Sequence, residues 1–104
     1  MWMYVADCAE MITLKEIRVF LAVCRAGSFS GGGKLLKMSQ ANMSKIVART
    51  EERLGAPLFE RMQKGIRLTD EGRAVRVYAE RIDRLTEKIE QVAERKNGDE
   101  KNSE

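Results

Sequence analysis

In the stretch RVFLAVCRAGSFSGGGKLL, residues 18–36, an apolar run flows into a glycine-rich segment ending in Gly33-Lys34, the residue types from which a nucleotide-phosphate cradle is made. Such a cradle needs a buried strand, then glycine, four residues and Gly-Lys-Ser or Gly-Lys-Thr, whose hydroxyl holds magnesium. Counting back from Gly33-Lys34, the required glycine falls on Ser28 and the hydroxyl position falls on Leu35. No later apolar strand ends in the aspartate that would complete a metal site. Other reactive side chains are sparse. The chain has no histidine, so the usual zinc arrangements are not available, and its two cysteines, Cys8 and Cys24, could form at most one bridge. Cys24 falls in step with Ile17, Phe20 and Leu21 and is expected to be a small core hydrophobe. With no nucleophile beside a base, the sequence points away from an enzyme and implies no cofactor and no metal.

The same stretch is better explained as two short helices. Thr13-Leu-Lys-Glu16 is a capping box, in which a hydroxyl and a carboxylate satisfy backbone NH groups at a helix start. Leu14, Ile17, Phe20, Leu21 and Cys24 follow at helical spacing, and Gly27 supplies a left-handed stop. Ser28 then caps a short second helix through Phe29, Leu35 and Leu36. Lys37-Met38 makes a tight connection, and Ser39 caps a third helix from Gln40 to Leu54 with Met43, Val47, Thr50 and Leu54 as its buried stripe, closed by Gly55. Two capped helices joined by about three residues form a helix-turn-helix corner; in DNA readers its second helix lies in a major groove, but many small helical domains contain such a corner, so the spacing alone is only suggestive.

After Pro57, the segments Leu58-Phe-Glu-Arg61 and Ile66-Arg-Leu68 flank Met62-Gln-Lys-Gly65 as two short strands around a turn, a wing. Thr69 caps a long helix whose apolar residues Val75, Tyr78, Ile82, Leu85, Ile89 and Val92 alternate three and four apart, which is a heptad seam. The seam either pairs with a second copy or folds back on its own domain. The residues after Arg95 carry no apolar side chain and are expected to be a disordered tail. The expected organisation is an N-terminal extension 1–12, a winged helix-turn-helix 13–69, a linker and dimerisation helix 70–95 and a polar tail 96–104.

Composition agrees with one small soluble domain: 104 residues, 43% hydrophobic and 34% charged. Net charge is +3, but residues 1–67 hold 11 Lys/Arg against 6 Asp/Glu, and residues 68–104 hold 8 against 10. Between Ser28 and Thr50, Lys34, Lys37, Lys45 and Arg49 face no acid, a pattern suited to a polyanion. No stretch approaches the ~20 apolar residues of a membrane span. Asp7 and Glu10 stand where a signal peptide needs basic and apolar regions, so a cytoplasmic location without a membrane is expected.

With Phe20 and Ala22-Val23, Gly27-Ser-Phe-Ser30, Ser39-Gln40, Ser44, Glu51 with Leu54-Gly55, Pro57-Leu-Phe-Glu-Arg61, Leu68-Thr69 and Gly72 in this order, residues 14–82 resemble the N-terminal DNA-binding domain of LysR-type transcriptional regulators. The resemblance implies a mainly α fold, a winged helix-turn-helix of three helices and a two-stranded wing followed by a long dimerisation helix. It also explains the glycines. Where the family has two alanines in the second helix, this chain has Gly32-Gly33, and small residues are needed there for close packing. Replacing both with alanine is expected to raise the melting temperature without loss of DNA binding.

The resemblance assigns base contacts to Gln40, Ala41, Ser44 and Lys45: Gln40 can pair with adenine, Lys45 with guanine, and Ala41 can touch a thymine methyl. Backbone contacts fall to Ser28, Ser30, Lys34 and Arg49. Gln63 and Lys64 at the wing tip would enter the minor groove, joined by Arg61 unless Arg61 holds an internal salt bridge. Ala41 replaces the family's usual proline, Asn42 a small apolar residue, Ile46 a glutamine and Thr50 a leucine, the last expected to weaken the core. The implied partners are double-stranded DNA bearing an interrupted palindrome and a second copy in a homodimer, with a full-length paralogue or RNA polymerase as further partners. Family members run about three times longer through an effector-binding domain, so this chain is expected either to lack that switch, if complete, or to be a fragment, and the extension before Met11 is either an upstream start or a capping segment in which Trp2, Tyr4 and Val5 add dimer contacts. The alternative is a protein-interaction module working through the heptad helix, with weak or no DNA binding.

Overall fold

The computed structural model describes residues 11–102, and side chains as far as Arg95; the expected contacts of Trp2, Tyr4 and Val5, and Cys8, lie outside the described residues. The chain forms α1 (Leu14–Ala26), α2 (Phe29–Leu36), α3 (Gln40–Leu54), β1 (Phe59–Met62), β2 (Gly65–Leu68) and α4 (Asp70–Asn102). It is a mainly helical winged helix-turn-helix with a long final helix.

Each boundary has a local cause. The Thr13 hydroxyl accepts from the Glu16 NH while the Glu16 carboxylate accepts from the Thr13 NH, and Gly27 ends α1 in the left-handed region at φ 76°. Ser28 caps α2 by accepting from the Gly31 NH, and Ser39 caps α3 by accepting from the Asn42 NH. Lys37 turns the chain between them at φ 57°, a conformation seldom taken by a residue with a Cβ. Phe59 pairs with Leu68 and Met62 with Gly65 in the antiparallel wing, leaving Gln63 and Lys64 as the two-residue turn. The Thr69 hydroxyl accepts from the Gly72 NH and donates to the Pro57 carbonyl, so the cap of α4 also holds the start of the wing.

α1 is the centre of the molecule, packed against α2, α3 and α4. Val19, Leu21 and Val23 are fully enclosed, together with Phe20, Ile17 and Ala22, so the segment is buried on nearly every side and not only along one stripe. Met43 and Val47 of α3, Leu58, Phe59 and Ala79 complete the core. The Phe59 ring links α1 to α2, with its centroid 5.2 Å from Phe20 and 5.8 Å from Phe29.

Four expectations change. Leu54 is 45% exposed, because Gly55 turns the chain away before the last turn of α3 can reach the core. α4 continues past Arg95 to Asn102, since residues that cannot build a core still propagate a helix already nucleated. Thr50 is buried but not a weak point: its hydroxyl lies 2.7 Å from the Glu16 carboxylate. The alanine substitutions in α2 meet backbone, not space. A Cβ on Gly33 would come within 2.5 Å of the Met38 carbonyl oxygen, and one on Gly32 within 3.0 Å of the Val23 nitrogen.

Candidate nucleic-acid interface

The buried residues Met43, Val47 and Thr50 fix the rotation of α3 and turn its other side outward. Gln40, Ala41, Lys45, Ala48 and Arg49 are exposed there, and Ser44 is half-buried at the margin. The face is cationic, with small residues between the long ones. Nothing in it contributes to the core, so its side chains are free to meet a partner.

The C-terminal part of α3 is also held by two carboxylates. Glu16 is only 7% exposed; it accepts from Thr50 and, at 2.8 Å, from the Arg53 guanidinium, which also donates to the Met11 carbonyl. Burial pushes the Glu16 carboxyl up, but the hydrogen bonds from Thr50, Thr13 and Arg53 outweigh it and hold its pKa below the ordinary 4.5. Glu51 accepts from the Leu58 NH at 2.6 Å and the Phe59 NH at 3.2 Å, which ties α3 to the first strand of the wing. Neither role was visible in the sequence beyond the capping box and the place of Glu51 in a family motif. A carboxylate in step with the buried positions of α1, and a threonine where α3 should be apolar, were the available signals.

The expected backbone-contact residues come together in part. Ser28, Ser30, Gln40 and Arg61 line one open recess where the starts of α2 and α3 meet the wing. Ser30 is exposed, whereas the Ser28 oxygen accepts from the Gly31 NH as a cap while its proton is still available to donate. Arg61 makes no ion pair among the described residues; its guanidinium lies over the Phe29 ring, 4.9 Å from the centroid. That contact holds a positive charge beside the NH-rich start of α2, a setting that favours an anion. Lys34 is exposed on α2, and Gln63 and Lys64 stand exposed at the wing tip.

The seam of α4 divides. Val75 and Ile82 are half-buried against the chain's own core, while Tyr78, Leu85, Ile89 and Val92 are exposed, Ile89 by 69%. Arg25 at the end of α1 binds Glu80 at 2.9 Å and Asp83 at 3.1 Å, fixing α4 against α1. Cys24 packs at the edge of the core, and burial pushes its thiol up to about 11, which keeps it protonated and unreactive at neutral pH.

The comparisons agree with this geometry. Residues 14–73 match the model of the bacterial regulatory helix-turn-helix protein, lysR family. The chain is 37% identical over 86 residues to an HTH-type transcriptional regulator of the ibpB-leuC intergenic region of Azotobacter vinelandii, covering 83% of this chain and 60% of that one. It is 36% identical over 87 residues to the RuBisCO operon transcriptional regulator of Allochromatium vinosum, covering 84% of this chain and 29% of that one. It therefore spans only part of the length of these relatives. Among solved structures, the DNA-binding domain of BenM in complex with catB site 1 DNA superposes with a TM-score of 0.76 at 27% identity, covering 81% of this chain and 94% of that one. The matched segment takes in α1, the helix-turn-helix, the wing and the start of α4, and with it the chain belongs to the LysR family of bacterial helix-turn-helix regulators.

Proposed function

We propose that the protein is a sequence-specific binder of double-stranded DNA that acts on transcription as a homodimer. α3 enters the major groove, Gln40, Ala41, Ser44 and Lys45 meet base edges, and Ser28, Ser30, Lys34 and Arg49 meet the backbone. Gln63 and Lys64 of the wing reach the minor groove, while Arg61, held over Phe29, takes a phosphate at the start of α2. Residues 13–69 are the DNA-binding unit and residues 70–95 the linker, with Tyr78, Leu85, Ile89 and Val92 forming most of the dimer contact and Val75 and Ile82 joining it to the core. A cytoplasmic location follows from this role. The observation that carries the reading is the outward face of α3, exposed, cationic and free of any core duty, with wing and α2 on its flank. The relatives named above are transcriptional regulators, and the BenM domain is seen on DNA.

Binding to duplexes selected from a random pool tests it. Lys64→Ala should weaken binding on every sequence alike and lower the salt slope by about one ion. Gln40→Ala should relax base preference at one position per half-site, by roughly 1–3 kcal/mol. Equal loss on all sequences for Gln40→Ala would remove its reading role. A second reading, in which α4 is the working surface and DNA binding is weak, draws support from the exposed stripe on that helix. Salt-dependent retention on DNA separates the two.

A further inference from the structure

The foot of the wing is gripped from two sides. The Leu58 carbonyl accepts from the Thr69 NH at 3.0 Å and the Pro57 carbonyl accepts from the Thr69 hydroxyl at 2.6 Å, which fastens the foot to the cap of α4. From the other side Glu51 of α3 takes the Leu58 and Phe59 NH groups. Among the described residues, these are the hydrogen bonds that α3 makes to the wing. Glu51 is half-buried and enters no ion pair among the described residues, so it serves as a clamp on backbone and not as a partner to a cation.

The other hold on the foot is apolar. Leu58 is enclosed in the core and the Phe59 ring rests against Phe20 and Phe29. Burial of this kind keeps the foot in place without fixing its direction, because the hydrophobic effect is non-directional. Beyond the foot, the hairpin moves as one piece: its strands pair from Phe59–Leu68 to Met62–Gly65, and Glu60 and Arg67 meet across them at 2.7 Å. The strand from Phe59 to Met62 runs on the order of 10 Å, so a tilt of about 10° at the foot moves the tip by about 2 Å, enough to break a hydrogen bond.

We propose that Glu51 is a positioning residue for DNA recognition: its carboxylate sets the angle of the wing to α3, and so couples the minor-groove contact of Gln63 and Lys64 to base reading by α3. The proposal rests on the reading of α3 and the wing as DNA contacts. Without the clamp, α3 still reads its bases, while the wing loses a fixed place over the flanking base pairs.

The test compares Glu51→Ala with Glu51→Gln in the full chain, since a glutamine oxygen can still accept from both NH groups. Exchange of the Leu58 and Phe59 amides should be about tenfold faster in Glu51→Ala and near wild type in Glu51→Gln. In duplexes selected from a random pool, Glu51→Ala should keep base preference at the positions under α3. It should lose the preference for A·T over G·C in the flank under the wing, the distinction a minor groove offers. Lys64→Ala should lower the salt slope by about one ion in the wild type and in Glu51→Gln, but leave it unchanged in Glu51→Ala. Should Glu51→Ala not fold, Glu51→Asp, one methylene short of the NH groups, takes its place in the same comparison. Equal loss of preference under α3 and in the flank would make Glu51 a stabilising residue only and overturn the proposal. So would a full effect of Lys64→Ala in the clamp-less variant, or a failure of Glu51→Gln to restore the flank preference. No effect of Lys64→Ala in the wild type would overturn it by removing the wing contact itself, and slow amides at Leu58 and Phe59 would then show the clamp intact and the proposed DNA contact at fault.

Discussion

Glu16 carries a charge at the junction of α1 and α3, where an apolar side chain would be the ordinary choice, and it is tolerated because every neighbour donates to it. Thr50 is one of those donors, 2.7 Å away. Thr50→Val keeps the shape and removes the donor, so a buried carboxylate is left short of a partner; the expected cost is about 1–3 kcal/mol in denaturant unfolding at pH 7. The acid side gives the sign. Because the folded Glu16 titrates below its ordinary 4.5, its contribution is complete above that value and is lost as pH falls through the lower folded value. The deficit of Thr50→Val should accordingly narrow as pH falls below the ordinary 4.5 and through the lower folded value, when the protonated carboxyl no longer needs the donor. An unchanged deficit across that range would mean that the threonine acts by packing alone.

At the scale of elements, α2 shows where propensity and packing oppose each other. Alanine gains roughly 0.8–1 kcal/mol over glycine inside a helix. A Cβ 2.5 Å from the Met38 carbonyl cannot be relieved by a side-chain shift, because the atom it meets is backbone in the tight turn at Lys37. Forced overpacking of this kind costs about 1–3 kcal/mol, so Gly33→Ala should lower the melting temperature by a few degrees, read by calorimetry. Retention or a rise would show that the turn relaxes freely. The elements themselves were legible because their signals are local: Thr13, Ser28 and Ser39 are hydroxyl caps, Gly27 and Gly55 are left-handed stops, and each stands where the helices begin and end. The wing was legible from Gly65 and its flanking residues. What depended on contacts between distant residues was not: the pairing of Thr50 with Glu16, the hold of Glu51 on β1, and the placing of Arg61 over Phe29 instead of in a salt bridge. The candidate interface was legible as a face of α3 and as a basic stretch, but its closure by the start of α2 and the wing needed the fold.

At the scale of the whole molecule, the direction of α4 relative to α3 would decide how far apart the two copies of α3 stand in the proposed homodimer, and Arg25 is one of the clamps that set it. Its two carboxylate partners raise its pKa, Glu80 first and Asp83 second. The guanidinium is about half exposed, 47%, so screening limits the clamp to a fraction of a kcal/mol up to about 1 kcal/mol of stability. Arg25→Ala should therefore leave the melting temperature nearly unchanged. It should widen tolerance of half-site spacing, measured by competition between duplexes with the native spacer and with one base pair inserted. A uniform affinity loss without change in spacer preference would confine Arg25 to stability. α1 stands between the surfaces proposed for bases and for a second copy, with Val19, Leu21 and Val23 wholly enclosed. New operators and new mates can thus be acquired separately, by drift on two outer skins, while the shared centre tolerates almost no drift of its own.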